Sequence, residues 1–149
     1  MHRKPRIKFL LVAALLALAS GAQALEFRSV LKHGAIYFDA PDLKAKKLFV
    51  VSKGTPVEIL ATQGDWLRVR DRDGKLAWMS KADLGKRTHV QVVKASTIYA
   101  AGSSESAVVF KAEAGLLLEL TENTRIGWLR VRHRDGQAGF IRIEDVWGL

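Results

Sequence analysis

Two five-residue segments of identical sequence carry the side chains best suited to contact a charged ligand. The segment Trp-Leu-Arg-Val-Arg occurs at residues 66–70 and again at residues 128–132. Guanidinium groups pair with carboxylates and phosphates through two parallel hydrogen bonds, and they also stack on indole rings. Aromatic grooves, in turn, receive extended ligands. We therefore predict two basic, aromatic strips that contact an anionic polymer, with these candidate ligand-binding residues: Tyr37, Trp66, Arg68, Arg70, Tyr99, Trp128, Arg130 and Arg132.

A second interpretation of the same residues is structural. Glu58 and Glu119 lie upstream of the two segments, and a carboxylate on a neighbouring strand would pair with the arginines across a sheet. Exposed ion pairs of this kind contribute only about 0.2–1 kcal/mol each. Aromatic side chains such as Trp78 and Phe140 would then cover the open ends of a small barrel.

The sequence contains little that supports catalysis. Cysteine is absent from the chain, which excludes thiol nucleophiles and cysteine-bound metals. Ser80, His133 and Asp145 can be combined into a triad on paper, but no nucleophile elbow and no metal-binding histidine pair is present. We expect a non-catalytic protein without cofactor or metal, and we interpret three of the four histidines as scattered, solvated surface residues: His33, His89 and His133.

The two segments belong to a longer repeat. Arg-Asp-Gly follows each of them, at residues 72–74 and 134–136, and Ile-Tyr precedes each, at residues 36–37 and 98–99. A duplicated unit of about 60 residues is long enough to fold on its own. We expect two domains of one design after an N-terminal segment of residues 1–24, at residues 25–85 and 86–149.

The local pattern within each unit is that of short strands. Residues 66–70 alternate strictly, so Leu67 and Val69 point to one face while Trp66 and the two arginines point to the other. Five or six strands per unit, without helical periodicity outside the N-terminal segment, predict an all-β fold in which each unit is a small barrel or sandwich. Further strands are expected at residues 30–38, 47–51, 55–61, 89–100, 107–111 and 116–120, and a single turn at residues 82–84 and 144–146.

Asp73-Gly74 signals a hairpin after the first strip, because a tight turn needs a positive φ. A two-residue turn would place Trp78 on the buried face beside Val69. A slip of one residue would bury Met79 instead.

The N-terminal segment has a different composition from the rest. A basic head precedes an apolar run at residues 9–19, and small residues follow that end in Ala-Gln-Ala at Ala24. This order is typical of a secretory signal peptide, and the run is shorter than the roughly 20 residues that span a bilayer. We expect cleavage after Ala24, no transmembrane segment after cleavage, and a periplasmic or secreted protein; an uncleaved anchor is the alternative.

Cleavage of the signal peptide would change the net charge of the chain. The chain has 24 Lys and Arg against 15 Asp and Glu, and four of the basic residues lie in the head, so the mature chain has 20 against 15, a net charge of +5. That is well below the dense positive field of a dedicated nucleic-acid-binding protein.

Three features recur in the same order in both units. They are a glycine that opens a β-rich strand (Gly54 and Gly115), the segment Trp-Leu-Arg-Val-Arg, and an Asp-Gly turn that leads to an apolar pair (residues 78–79 and 140–141). In this order and spacing, behind a signal peptide, the units resemble the bacterial SH3-like domain, a small extracytoplasmic β-barrel found repeated in cell-wall and periplasmic proteins. The resemblance implies a binding module of the kind that is attached to wall hydrolases.

We therefore expect an exported, non-catalytic tandem of SH3-like barrels that binds or scaffolds at the cell envelope, with peptidoglycan or envelope proteins as partners. One alternative is an accessory protein–protein interaction subunit of an envelope complex without wall affinity. Another is a nucleic-acid-binding small barrel, which would bind oligonucleotides with steep salt dependence and which the export signal disfavours. The sequence predicts neither the oligomeric state nor the orientation of the units.

Overall fold

Short antiparallel strands make up most of residues 24–149, the part of the chain that this computed structural model describes. The predicted signal peptide lies outside the described residues, apart from its last residue, Ala24. Among residues 24–149, no helix has the length and apolar character needed to cross a membrane.

The first module contains seven strands and one short 3-10 turn at Lys81–Asp83. Its strands are β1 (Phe27–Val30), β2 (Ala35–Phe38), β3 (Lys47–Val51), β4 (Pro56–Gln63), β5 (Trp66–Arg70), β6 (Leu76–Ser80) and β7 (Leu84–Lys86).

The second module repeats this plan, with its 3-10 turn at Ile143–Asp145. Its strands are β8 (His89–Val92), β9 (Ser96–Tyr99), β10 (Val108–Ala112), β11 (Leu117–Asn123), β12 (Trp128–Arg132), β13 (Ala138–Arg142) and β14 (Val146–Trp147).

The two modules have separate sheets with the same strand order. The order is β3-β2-β6-β5-β4-β1-β7 in the first module and β10-β9-β13-β12-β11-β8-β14 in the second, and within the described residues no strand of one pairs with a strand of the other. This confirms the predicted all-β fold of two tandem modules.

Each sheet closes around its own apolar core. In the first module, Val51 of β3 and Leu84 of β7 lie at opposite ends of the strand order, yet both belong to one cluster with Leu67, Val69 and Met79. The second core is built from equivalent positions, including Leu129, Val131 and Ile141. Because side chains from the two ends of a sheet meet in one core, each sheet must be strongly curved.

The predicted strands at residues 30–38 and 89–100 are each divided into two shorter strands, so these predictions were wrong in extent. In the first module, the chain turns at Gly34, which has a φ of +77°. The turn is required because β1 pairs with β4 and β7, whereas β2 pairs with β3 and β6. One continuous strand could not reach both ends of the sheet.

The β5–β6 hairpin has the second of the two predicted registers. Leu67 pairs with Met79 and Val69 pairs with Ala77, so Met79 is buried, and placing Trp78 beside Val69 on the buried face was wrong. The loop is wider than two residues because the Asp71 carboxylate accepts hydrogen bonds from the backbone N–H groups of Asp73 and Lys75.

Candidate functional site

The first strip lies on the outer face of β5. The Trp66 ring is partly buried and meets Phe38 edge to face, with ring centroids 5.3 Å apart. Arg68 is exposed, and its cross-strand neighbours are Trp78 on β6 and Ala61 on β4. Among residues 24–149, Arg68 forms no ion pair. Its guanidinium group is therefore free to bind a ligand beside an aromatic surface.

Arg70, the next arginine on the strip, is held by Glu58 on β4. The Arg70 Nε donates a hydrogen bond of 2.7 Å to Glu58 Oε2, and the Glu58 side chain is only 6% exposed. A buried carboxylate needs a partner for its charge. Arg70 therefore stabilises the sheet, as the structural interpretation of the sequence proposed.

The second strip, on β12, has a different aromatic environment. Trp128 is buried, and its ring meets Tyr99 edge to face at 5.8 Å. The Arg142 guanidinium lies 4.9 Å from the centre of the Trp128 ring. Neither Trp66 nor Trp128 stacks on an arginine of its own strand within residues 24–149, where cationic groups over aromatic rings occur at Phe49 and Trp128.

The reason lies in sheet geometry. Residues two apart on one strand project in parallel about 7 Å from each other, whereas cross-strand partners are about 5 Å apart. Arg142 is the cross-strand partner of Trp128, and its equivalent opposite Trp66 is Ser80. The sequence did not indicate Arg142, because the repeated segment drew attention to the arginines within it, Arg130 and Arg132.

Two carboxylates moderate the charge of the second strip. Arg130 lies opposite Glu122, and Arg132 pairs with Glu119 at 2.8 Å between Nη2 and Oε2. Both members of the Arg132–Glu119 pair are substantially exposed. Each arginine of the second strip therefore has a carboxylate on the neighbouring strand, while Arg142 adds a positive charge beside Trp128.

The two tyrosines differ in position. Tyr37 is only 3% exposed and lies in the first core, whereas Tyr99 is partly exposed beside Trp128. The Tyr37 hydroxyl has no hydrogen-bond partner among the described residues, and burial raises the pKa of this phenol well above its usual range. Tyr37 thus contributes to the core rather than to the exposed strip.

Sequence reasoning also missed a cleft between the two modules. His33, His89 and His133, interpreted from the sequence as scattered surface residues, line this one cleft of about 520 Å³ together with Lys53 and Arg134. Because the three histidines stand at non-equivalent positions of the repeat, the repeat gave no signal that they meet.

The residues considered for catalysis have other partners. Asp145 pairs with Lys94 at 3.2 Å, and His133 Nδ1 lies 3.0 Å from an Asp135 oxygen, so the triad drawn from the sequence is not assembled. Within residues 24–149, no group of three or more His, Asp or Glu side chains is arranged to hold a metal ion.

Comparisons with known proteins identify both modules. Two family models described as "Bacterial SH3 domain" match the chain, one at residues 38–85 and the other at residues 92–148. No curated protein matches the chain significantly.

Three of the solved structures that match align with most of the chain. NlpC2 from Trichomonas vaginalis is 19% identical, with a TM-score of 0.38 and coverage of 84% of this chain and 48% of its own. NlpC1 from the same organism is 22% identical, with a TM-score of 0.38 and coverage of 89% and 49%. An NlpC/P60 family protein from Bacillus cereus ATCC 10987 is 16% identical, with a TM-score of 0.40 and coverage of 82% and 56%. The chain spans about half the length of these proteins.

Proposed function

The chain belongs to the bacterial SH3 domain family as a tandem pair, and from this premise we propose that it is an exported, non-catalytic binding or scaffolding protein of the cell envelope. Its ligand in this proposal is peptidoglycan or a wall-associated protein, and its location is the periplasm or the cell exterior. The N-terminal sequence, with its basic head, apolar run and Ala-Gln-Ala end, supports export.

The observation that carries the proposal is the duplicated exposed arginine. Arg68 and Arg130 occupy equivalent positions of β5 and β12, and both are exposed beside an aromatic cross-strand neighbour, Trp78 or Phe140. Stem peptides of peptidoglycan carry carboxylates, which guanidinium groups bind through paired hydrogen bonds. Two weak sites on one chain also gain affinity for a repeating polymer, because the second contact forms within an existing complex.

The two strips do not contribute equally in this proposal. Arg68 faces Ala61 on β4, whereas Arg130 faces Glu122 on β11. Among residues 24–149 no ion pair joins Arg130 and Glu122, but a carboxylate on the neighbouring strand repels an approaching anionic ligand. The first strip should therefore make the stronger contact.

One observation favours the alternative, an accessory subunit that binds another envelope protein. Strand β3 lies at the edge of the first sheet, and Phe49 and Val50 on it are 48% and 76% exposed. An unpaired edge strand with exposed apolar side chains is a surface on which a partner strand can add.

Sedimentation with purified sacculi tests the proposal. Residues 25–149, which contain every described strand, should pellet with sacculi at low salt and be released as the salt concentration rises, because screening weakens exposed charge contacts. Protein that stays in the supernatant at low salt would refute wall binding. If crosslinking of envelope fractions then captures one protein reproducibly, the accessory-subunit alternative replaces it.

A further inference from the structure

The cleft between the modules is built by both of them. The first module contributes His33 from the turn before β2 and Lys53 from the turn before β4. The second contributes His89 at the start of β8 and residues 133–134 from the loop after β12. The cleft, with a volume of about 520 Å³, therefore exists only in the tandem.

Specific contacts hold its two walls together. The Arg72 Nη1 donates a hydrogen bond of 2.9 Å to the Val92 carbonyl oxygen, and the Ser29 hydroxyl oxygen accepts one of 3.0 Å from the Thr88 N–H. The rings of Phe27 and Trp147 meet edge to face at 4.8 Å. Only residues 87–88 separate β7 from β8, so the short connection restricts the movement of one module relative to the other.

Positive charge dominates the lining of the cleft. Lys53, Arg132 and Arg134 face it together with a single carboxylate, Glu119. Glu119 is already paired with Arg132 at 2.8 Å, whereas Lys53 and Arg134 form no ion pair within the described residues. Two positive charges are therefore uncompensated before any histidine is protonated.

The ring of His89 is fixed in place at this cleft. Its Nδ1 lies 2.8 Å from the Thr88 hydroxyl oxygen, and the ring packs against Gly54, where an added Cβ would come within 3.1 Å of it. Gly54 has a φ of +87°, a conformation that also favours glycine. A side chain at position 54 would make the imidazole shift by a few tenths of an ångström, so the turn before β4 packs directly against the site.

We propose that this inter-module cleft binds a doubly charged tetrahedral oxyanion, either free inorganic phosphate or the phosphate group of a monoester. Lys53 and Arg134 supply the two charges that such a dianion neutralises. The histidine ring nitrogens that are not held by Asp135 or Thr88 supply further N–H donors. A monocarboxylate would leave one of the two charges unmatched, which is why the charge count favours a dianion. The site is separate from Arg68 and Arg130, so it does not depend on wall binding.

Sulfate is the first probe, because its charge stays constant across the pH range in which imidazoles titrate. Amide resonances of the chain are followed by NMR during sulfate titration at constant ionic strength. We expect saturable shifts centred on His89 and Gly115. The double variant Lys53→Ala/Arg134→Ala should bind sulfate at least roughly tenfold more weakly, since charge-assisted hydrogen bonds are lost.

The matched control is Lys44→Ala/Lys46→Ala, which removes the same charge from an exposed loop and should leave sulfate affinity unchanged. Unchanged spectra outside the cleft establish that both variants are folded. Equal sulfate affinity in the cleft variant and the control would overturn the proposal. So would acetate shifting the same amides as strongly as sulfate.

The pH dependence is a second readout. Burial lowers the pKa of His89, Lys53 lowers it further, and Glu119 opposes them. The ring is therefore neutral at neutral pH and gains its proton on acidification, so sulfate should bind more tightly at lower pH. The Thr88 hydroxyl also lies against this ring, and His33, His133, Arg132 and Arg134 line the same cleft. His89→Gln should reduce the dependence of sulfate affinity on pH. If sulfate affinity changed with pH as steeply in this variant as in the unaltered chain, the role of His89 would be contradicted.

The source of the phosphate group is resolved by comparing two ligands. Glycerol 3-phosphate that binds as tightly as inorganic phosphate, or more tightly, assigns the cleft to a phosphate ester. Tighter binding of inorganic phosphate assigns it to the free ion. Failure of both to displace sulfate would refute the proposal.

Discussion

Equivalent arginines of the two modules differ because their carboxylate partners are buried to different degrees. Arg70 holds a Glu58 side chain that is 6% exposed, whereas Arg132 holds a Glu119 side chain that is 41% exposed. The pairing of these arginines with Glu58 and Glu119 follows from the sequence. The difference in burial does not, because both glutamates have similar neighbours in sequence and their exposure depends on how the sheet curves around them.

The Arg70→Ala substitution should therefore be much more costly than Arg132→Ala. Losing Arg70 leaves a buried carboxylate unpaired, and we expect the free energy of unfolding to fall by about 2 kcal/mol or more. Losing Arg132 breaks an exposed pair and should cost at most about 1 kcal/mol. Urea denaturation of the two variants measures the difference. Equal losses of unfolding free energy in the two variants would show that the Glu58 carboxylate does not need Arg70 as its charge partner.

The Tyr37→Phe substitution should stabilise the first module. It removes a buried hydroxyl that lacks a partner among the described residues, a gain of about 1 kcal/mol. Burial raises the pKa of Tyr37, so the unfolded chain loses this proton first as the pH rises past the usual tyrosine range, and stability falls there. Tyr37→Phe should remove that alkaline loss.

Tyr99→Phe is the matched control at the equivalent, partly exposed position. It should change stability little. Urea denaturation at neutral and alkaline pH measures both effects, and destabilisation by Tyr37→Phe at neutral pH would show that the hydroxyl is hydrogen-bonded.

At the level of elements, strands with one buried face were predictable from the sequence. The register and the ends of strands were not, where they depend on a turn. Strict alternation at residues 66–70 and 128–132 correctly placed Leu67, Val69, Leu129 and Val131 in the cores. The register of β6 could not be decided from alternation, because hydrogen bonds from the backbone N–H groups of Asp73 and Lys75 to the Asp71 carboxylate set the width of the loop. The division of residues 30–38 was missed since it depends on pairing with distant strands.

The pairing of β2 and β9 with their neighbours also differs between the modules. Phe38 pairs with Trp78 in the first, whereas Phe140 pairs with Tyr99, the equivalent of Tyr37, in the second. In the second module the Tyr99 carbonyl lies close to Gly139, where an added Cβ would lie 2.5 Å from the oxygen. The equivalent residue in the first module is Ala77, so only the second module requires glycine here.

The Gly139→Ala substitution should consequently destabilise the second module. Overpacking between β9 and β13 costs about 1–3 kcal/mol, because the backbone carbonyl cannot move aside as a flexible side chain would. Ala77→Gly, the reverse change at the equivalent position, should cost about 1 kcal/mol through lost packing and added backbone freedom. Thermal unfolding measures both; a neutral Gly139→Ala would show that β9 moves freely.

At the level of the whole molecule, the repeat predicted two separate sheets but not how they meet. The offset between equivalent residues defined two modules, and the separate strand orders confirm it. The cleft lined by His33, His89 and His133 depends instead on contacts such as Arg72 to Val92, which join non-equivalent positions. No periodicity in the sequence encodes such contacts, so the cleft is visible only once the chain is folded.

The most direct test of the account is the affinity for sacculi of a chain that lacks both exposed strip arginines. Arg68→Ala/Arg130→Ala should weaken binding roughly tenfold or more, with Arg68→Ala alone having the larger single effect. Lys44→Ala/Lys46→Ala, with the same loss of charge, should bind nearly as the unaltered chain does. Equal affinity of the two double variants would contradict the claim that the duplicated strips carry the function.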